Sequence, residues 1–323
     1  MRLTNIITKR HGRENLSADI VYEWEDIFEK MLSLNMVHEN PLRMNIWTLR
    51  FRAYNLFTPN VPSVIFQMNP WDNLGYNKPN IIPLIIDYFL SPSQYPYFLE
   101  HYSKHKLILV SSMEVYNHLK EMKCPFNIRH LPLSISDIYK INKDSKYEKK
   151  YDLVLLGRQN RVLSAFLSQY VQRHKDFEYV YHKKEGTHFI YYTSTGECLG
   201  DICRREDYIK LMKSAKIGLY STSSIDGNDN QITNGYNQVT PRFLEYLACG
   251  VHVICRYKSN PDTLYYELEK YWPNINAYEE FENAMDYARM NEPDMQFYAE
   301  YLSKHYTSTR VKMLQDILKE TEL

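Results

Sequence analysis

A chain of 323 residues is long enough for about two domains, and its composition, 44% hydrophobic and 24% charged residues, is typical of a globular protein with a substantial core. Lysine and arginine together number 39, as do aspartate and glutamate, so the formal net charge is zero. This balance argues against a dedicated nucleic-acid-binding protein, which would carry a basic excess, and no apolar run approaches the ~18 residues of a membrane-spanning helix.

The N-terminus and the cysteines bear on where the protein works. The N-terminus has no long apolar segment behind its basic residues, so we expect no signal peptide. Five cysteines, an odd number without C-x-x-C spacing, argue against a disulfide framework or a zinc ribbon. A reducing cytoplasm is therefore the expected location.

Short apolar runs that end in polar residues characterise the first half of the chain. Such runs lie at residues 63–68, 81–86 and 106–110. A helical stretch at 113–122 follows the third run, and this alternation indicates β/α units around a parallel sheet. Pro83 lies inside the second run. Because proline cannot donate to a sheet ladder, it predicts an edge strand or a strand that begins only at Leu84.

A charged segment at 141–150 separates two patterned halves. With Lys140 it contains five lysines and shows no periodicity, which predicts a solvated linker. We therefore expect a first domain at 1–140 and a second at 151–300. An apolar stripe in the C-terminal segment 301–323 predicts a final helix that packs back on the first domain.

The second half repeats the pattern more clearly. Its predicted elements are a strand at 152–156, a tight turn at 157–161, helices at 162–173 and 206–214, and a strand at 217–220. Thr240 then suits the N-cap of a helix, Pro241 its first position and Gly250 its end, before a strand at 251–255. The expected fold class is α/β, with two Rossmann-like, doubly wound halves.

Several signatures of known chemistry are absent. The chain has no P-loop, no dinucleotide-binding fingerprint, no nucleophile elbow and no H-E-x-x-H zinc helix. Asp226, Asn228 and Asn230 match the first ligands of a calcium loop, but a glutamine stands where that loop needs glycine. His101 and His105 have helical spacing without a third ligand in view. We expect no metal and no cofactor.

A phosphate-and-ribose site is the constellation that remains. The strand that runs into Gly157 and Arg158 presents a tight turn and a guanidinium at the start of a helix, which suits a diphosphate. The helix that starts at Thr240 offers a second anion-binding end, reinforced by Arg242, and Glu245 one turn further could accept hydrogen bonds from a ribose diol. The spacing alone is equally consistent with an exposed turn arginine and a glutamate on a solvated helix face.

Two stretches of the second half resemble a known family. Residues 240–254, TPRFLEYLACGVHVI, resemble the donor-site segment of GT-B glycosyltransferases, closest to the "glycosyl transferases group 1" type, in which a helix carrying L-E-x-x-A-C-G precedes a strand. Residues 151–158, YDLVLLGR, resemble the first strand and G-R turn of the same nucleotide-sugar domain. In the first half, residues 107–122 resemble the last strand–helix unit of the acceptor domain.

The resemblance implies two Rossmann-like domains facing across a cleft, with the nucleotide sugar held mainly by the second. It implies that Glu245 binds the ribose hydroxyls, that Arg158 binds the diphosphate and that no metal is needed. Asn237 stands where group 1 enzymes usually have a paired glutamate, and Arg161 is the nearest basic residue to their usual lysine. The predicted donor-binding set is Gly157, Arg158, Arg161, Asn237, Thr240, Arg242 and Glu245.

The first half would then hold the acceptor. Ligands of open α/β sheets gather beyond the carboxyl ends of the strands, which nominates Asn69, Asp87, Ser111 and Ser112. Asp87 is the only carboxylate directly after one of the apolar runs. We predict Asp87 and Asn69 as catalytic residues, with Asp87 the general base of an inverting reaction. The alternative for Asp87 is a strand terminator that bonds a loop.

Together these inferences predict a hexosyltransferase-like, metal-independent enzyme of bacterial surface polysaccharide synthesis. It would move a sugar from a nucleotide-diphosphate donor to a glycan or lipid-linked glycan, in the cytoplasm or at the inner face of the membrane through peripheral contact. No nucleic-acid partner is expected. Two alternatives stay open: a nucleotide-sugar epimerase of related fold, and a non-catalytic nucleotide-sugar-binding subunit, which Asn237 makes credible.

Overall fold

The computed structural model describes residues 2–10, 16–38, 61–73, 75–186, 188–227 and 230–321. Within these residues the chain forms two compact units. The first is built mainly from Ser17–Asp137 and the C-terminal residues from Tyr306 onwards, and the second from Ile138–His305. The C-terminal segment therefore belongs to the same unit as the first half of the chain.

The first unit is a six-stranded parallel sheet with the strand order β2-β1-β3-β4-β5-β6. Its strands are β1 (Asn5–Thr8), β2 (Asn35–His38), β3 (Ser63–Gln67), β4 (Ile81–Ile85), β5 (Ile108–Val110) and β6 (Ile128–His130). Its helices are α1 (Leu16–Leu32), α2 (Tyr95–Tyr102), α3 (Met113–Glu121) and the last helix of the chain, α12 (Thr307–Glu320).

Apolar strands covered on both faces form the core of this unit. All residues of β3 and β4 are buried, as expected for central strands of a parallel sheet. Helices α1 and α12 contribute to the same core. Its members include Ile6, Val64, Ile82, Leu109, Trp24, Phe28, Val311 and Leu314.

The position of β4 corrects the prediction made from Pro83. β4 lies between β3 and β5, so it is not an edge strand. Its register pairs it with β3 along its whole length but with β5 only from Leu84 onwards. The N–H of Ile86 points to β3, so by alternation the missing N–H of Pro83 would face β5, before that pairing begins. The proline therefore costs no ladder hydrogen bond.

The second unit is a six-stranded mixed sheet with the order β10-β9-β8-β7-β11-β12. Its strands are β7 (Tyr151–Val154), β8 (Tyr179–Glu185), β9 (His188–Thr193), β10 (Cys198–Asp201), β11 (Ala215–Ser221) and β12 (His252–Arg256). Its helices are α4 (Arg161–Arg173), α5 (Arg205–Lys213), α6 (Asn230–Thr233), α7 (Pro241–Ala248), α8 (Pro261–Tyr265), α9 (Leu268–Tyr271), α10 (Tyr278–Met290) and α11 (Met295–Ser303).

Four adjacent strands, β8, β7, β11 and β12, are parallel, and β8 continues into an antiparallel meander with β9 and β10. The parallel strands β7, β11 and β12 correspond to the apolar runs of the sequence. β9 runs antiparallel to β8, and β10 antiparallel to β9. The meander strands have no shared pattern, since β8 is YVYHKKE, β9 is HFIYYT and β10 is CLGD. Both units are α/β and Rossmann-like, which confirms the predicted fold class. None of the described helices combines the length and apolar character needed to cross a membrane.

The charged segment 141–150 is anchored to the second unit. Tyr147 donates to the carbonyl oxygen of Ala248 at 3.0 Å, and Lys149 donates to the carbonyl oxygens of Lys213 and Cys249 at 3.1 and 2.9 Å. These carbonyls lie at the C-terminal ends of α5 and α7, where a cation is favoured. Burial lowers the pKa of Lys149 to about 8. Tyr147 and Lys149 therefore do not belong to a solvated linker.

A buried carboxyl group lies at the carboxyl end of β1. Glu25 of α1 is 1% exposed, and its Oε2 accepts a hydrogen bond from the Thr8 hydroxyl at 2.5 Å. Nη2 of Arg10 lies 3.6 Å from the same oxygen. Burial raises the pKa of Glu25 to about 7, and the contacts with Thr8 and Arg10 offset only part of that rise.

This pKa makes the stability of the first unit depend on pH. Because the folded-state pKa lies above the ordinary 4.5, the free energy of unfolding falls as pH rises from about 4.5 to 7. The full effect is on the order of 3 kcal/mol. Glu25→Gln removes this titration. The free energy of unfolding of Glu25→Gln minus that of wild type should therefore be larger at pH 8 than at pH 5, measured by urea unfolding. Asp316→Asn, at an exposed site on α12, is the control. The same pH dependence in Glu25→Gln and wild type would contradict this assignment.

Candidate functional site

The carboxyl ends of three parallel strands meet at one edge of the second sheet. β11 pairs with β7 on one side and with β12 on the other, all in parallel. A turn at 157–160 follows β7, a loop at 222–240 follows β11, and Arg256 ends β12. Ligands of open α/β sheets bind beyond such strand ends, so these three segments define the candidate site.

Gly157 and Arg242 lie close together within the site. Gly157 has a φ of +61°, a left-handed conformation that favours glycine. A Cβ atom at this position would lie 2.2 Å from Nη2 of Arg242 and 2.8 Å from its Cζ. The guanidinium from the first turn of α7 therefore lies directly against the turn after β7. Two residues predicted from the sequence as donor-binding are thus brought together.

Tyrosine side chains and a carboxylate surround Arg242. Burial opposes its positive charge, but Tyr208, Tyr246 and Glu245 outweigh burial and hold the pKa of Arg242 above its usual value. No carboxylate in the described parts of the chain accepts a hydrogen bond from this guanidinium within 3.5 Å. A permanently charged donor group is thus fixed beside the Gly157 turn, as anion binding requires.

The turn after β7 is held by its own polar side chains. Gln159 Nε2 donates to the carbonyl oxygens of Leu156 and Gly157, at 3.0 Å each. Asn160 caps α4, because its Oδ1 accepts from the N–H groups of Val162 and Leu163 at 2.9 and 3.1 Å. The other two predicted cations are exposed on this turn and at the first position of α4; they are Arg158 and Arg161.

Glu245 lies in a buried ion pair. It is 1% exposed, and its Oε1 accepts a hydrogen bond from Nη2 of Arg205, the first residue of α5. The guanidinium of Arg205 also lies over the rings of Tyr139 and Tyr208, at 5.5 and 6.0 Å from their centroids. A solvated helix-face glutamate is therefore excluded. The ribose role of Glu245 stays a prediction, and a ribose would have to reach the oxygen that Arg205 does not engage.

Asn237 and Thr240 hold the loop after β11. Asn237 is buried, accepts from the Thr222 hydroxyl at 3.2 Å and donates to the carbonyl oxygen of Gly235 at 2.8 Å. Thr240 is the N-cap residue of α7, with proline at the first position, as predicted. Its side chain makes no cap hydrogen bond, however, and its N–H donates to the Tyr220 hydroxyl at 2.9 Å. Ligand roles for Asn237 and Thr240 stay predictions.

Arg256 was missed by the sequence reasoning, and it pairs with a residue that was weighed as a calcium ligand. Its Nε and Nη2 each lie 2.6 Å from an oxygen of Asp226. Asn228 of the same loop lies outside the described residues. The described part of the chain contains no group of three or more His, Cys, Asp or Glu side chains that could hold a metal ion.

The predicted catalytic residues lie at the carboxyl ends of β3 and β4 in the first unit. The N–H of Asp87 donates to the carbonyl oxygen of Met68 at 2.9 Å, which brings Asp87 beside Asn69. Asn69 Oδ1 accepts from the N–H of Trp71 at 3.0 Å, so this side chain caps the turn Pro70–Asn73. The structure thus brings the two residues together while giving Asn69 a structural contact.

The serines and histidines of this unit have local structural contacts. Ser111 donates to the carbonyl oxygen of Ile86 at 2.5 Å, and Ser112 caps α3. His105 is buried, its Nδ1 lies 2.8 Å from the carbonyl oxygen of Ile81, and burial lowers its pKa to about 4. Nδ1 of His101 lies instead 3.0 Å from the carbonyl oxygen of Tyr97.

Part of the chain matches a known protein family. Residues 165–316 match the family described as "Glycosyl transferase-like". No curated protein sequence matches the chain. The pneumococcal O-GlcNAc transferase GtfA, solved in complex with UDP and GlcNAc, is similar with a TM-score of 0.51 at 10% identity, over 84% of this chain and 59% of that chain. This chain thus spans about three fifths of the length of GtfA.

Two further solved structures are similar over more of their own length. AviGT4, a glycosyltransferase involved in avilamycin A biosynthesis, has a TM-score of 0.57 at 12% identity, over 98% of this chain and 97% of that chain. Trehalose-6-phosphate synthase OtsA has a TM-score of 0.52 at 12% identity, over 94% and 82% of the two chains. At such identities the likeness establishes the fold alone, and the predicted GT-B-like fold is confirmed.

Substitution of Gly157 tests the contact with Arg242. Gly157→Ala should weaken binding of a nucleoside diphosphate at least ~10-fold, because the new Cβ displaces a guanidinium whose hydrogen bonds to an anion are worth ~1.5–3 kcal/mol. Gly186→Ala is a matched control, since Gly186 has a φ of +63° but nothing within 4 Å of a Cβ. Calorimetric titration of both variants checks this. Equal loss of affinity in the two would assign the effect to backbone strain.

Proposed function

We propose that the protein is a glycosyltransferase that moves a sugar from a nucleotide-diphosphate donor to a glycan acceptor. One observation carries the proposal: a charged guanidinium from the first turn of α7 lies against a glycine turn at the carboxyl edge of the second sheet. The family match covers α7 and most of the second unit, which supports a nucleotide-sugar donor at this edge.

The chemistry assigned to Arg242 is stabilisation of the leaving group. As the bond between the sugar and the diphosphate breaks, negative charge grows on the diphosphate oxygens. A guanidinium that is already fixed in place stabilises that charge without rearrangement, and the exposed Arg158 and Arg161 add to the positive potential. The N-termini of α4 and α7 favour the same charge. We propose on this basis that transfer needs no metal ion.

Glu245 is proposed to bind the ribose of the donor. Arg205 engages one oxygen of its carboxylate and so sets the direction of the other. A carboxylate oxygen held in this way can accept hydrogen bonds from the two ribose hydroxyls, as acidic residues do in dinucleotide-binding sites. Arg205 is then the residue that orients Glu245, while Glu245 alone contacts the ribose.

The first unit is proposed to bind the acceptor, with Asp87 as general base. In an inverting transfer the base takes the proton of the acceptor hydroxyl. The acceptor oxygen attacks the sugar carbon as the bond between that carbon and the diphosphate breaks, and the diphosphate leaves. Asn69 would hold the neighbouring turn in place through its bond to Trp71. We extend the proposal to a glycan or lipid-linked glycan of a bacterial surface polysaccharide, made on the cytoplasmic side. The group 1 resemblance of residues 240–254 supports this extension.

A nucleotide screen tests the proposed function. Thermal shifts with UDP, GDP, TDP, CDP and CMP should single out one diphosphate, since a ligand at about 100 times its Kd adds about 2.7 kcal/mol of stability. The shift should persist in excess EDTA, because arginines neutralise the diphosphate. Product analysis with the matching nucleotide sugar and a glycan acceptor should then find a transferred sugar. An epimerised donor, binding without turnover, or no shift with any nucleotide would each contradict the proposal.

The two partners of the buried ion pair should differ in their effect on binding. Glu245→Gln and Arg205→Gln each leave a partner unpaired, so both should lower the free energy of unfolding by about 3 kcal/mol. Only Glu245→Gln should replace a charged acceptor in direct contact with the ribose by a neutral amide, with a loss of nucleoside diphosphate affinity of roughly 10-fold or more. Unfolding and calorimetric titration of both variants check this. Unchanged affinity in Glu245→Gln would remove the ribose role.

A further inference from the structure

A network of three side chains joins the three segments of the candidate site. Asp226, in the loop after β11, accepts from Nε and Nη2 of Arg256 at 2.6 Å each, a two-point contact with the end of β12. The same carboxylate accepts from Nδ2 of Asn160, in the turn after β7, at 2.9 Å. Asn160, Asp226 and Arg256 are called the Asp226 latch below.

Each member of the latch is tied to a second element. Asn160 caps α4 through Val162 and Leu163, so its amide connects the start of that helix to Asp226. Arg256 uses its remaining Nη1 to donate to the carbonyl oxygen of Ile275 at 2.7 Å. The latch therefore connects the N-terminus of α4, the loop after β11 and the end of β12, and through Arg256 it also contacts the backbone at Ile275.

The backbone at Asp226 fits this role. Asp226 has a φ of +59° and a ψ of 17°, the left-handed region that most residues other than glycine avoid. Asp tolerates this conformation better than most residues. The conformation accompanies a carboxylate that contacts Arg256 and Asn160 together. Oδ2 accepts from both Arg256 and Asn160, and Oδ1 accepts from Arg256.

We propose that Asp226 is a positioning residue for the donor. Through the latch it holds the turn 157–160, which carries Gly157 and Arg158, at a constant place relative to the loop that leads into α7 and Arg242. This inference rests on the proposed function, because the positioned groups are those assigned to the donor diphosphate. Hydrogen bonds to a diphosphate depend on such placement to within a fraction of an ångström.

Two substitutions remove hydrogen bonds of the latch. Asp226→Asn removes the charge and leaves one side-chain oxygen to accept a hydrogen bond, while Arg256→Gln removes the two-point contact from the other side. Asp176→Asn is the matched control, because Asp176 forms an ion pair with Arg289 at 2.8 Å in the same unit, away from the three segments. Hydrogen exchange at Val162 and Leu163 reports the latch without any ligand.

We expect faster exchange at Val162 and Leu163 in Asp226→Asn and in Arg256→Gln, with the control unchanged. Titration with UDP, GDP, TDP and CDP should show an affinity about 10-fold lower than wild type for whichever of them wild type binds. The double variant should lose no more than either single one, since both act through one network. Asp226→Glu should recover part of the affinity.

Other outcomes overturn the inference in distinguishable ways. Unchanged exchange in Asp226→Asn would show that the latch does not hold the turn. Faster exchange with unchanged affinity would make the latch structural only. A loss of affinity that appears with Mg²⁺ and vanishes in EDTA would make Asp226 a metal ligand. If wild type binds none of the four nucleotides, the proposed function fails as well, whatever the exchange data show.

Discussion

The contact between Gly157 and Arg242 is the constraint on which the candidate site depends. It joins two elements that are about 85 residues apart in the chain. The guanidinium occupies the space that any other side chain at Gly157 would need. A second glycine, Gly218 of β11, makes room for a neighbour of the arginine. A Cβ at this position would lie 2.4 Å from the ring of Tyr246, which is one of the side chains around Arg242.

The site combines two ion pairs with further arginines, in a chain whose formal net charge is zero. Glu245 pairs with Arg205, and Asp226 pairs with Arg256. This concentration of arginine around the strand ends suits an anionic ligand. The other arginines discussed there are Arg158, Arg161 and Arg242.

Much of the fold and part of the site could be predicted from local patterns. Apolar runs gave β3, β4, β7, β11 and β12, and the Thr240-Pro241 start and Gly250 end gave α7. Gly157 and Arg242 were also predicted, since a turn glycine and an arginine in a first helical turn are visible in the sequence. The meander at 179–201 was not predicted, because its strands share no regular pattern of apolar residues. The prediction from Pro83 was wrong because the strand β5 pairs with β4 only from Leu84 onwards.

By itself the sequence determined the α/β class, the order of the elements and which side chains lie near strand ends, because these depend on periodicity and on capping residues close in the chain. Only the tertiary structure decided which of those side chains meet. Glu245 pairs with Arg205, and Asp226 with Arg256, across 40 and 30 residues. Such pairs depend on which strands are neighbours in the sheet and on how far a side chain is buried, and neither quantity is encoded in local spacing.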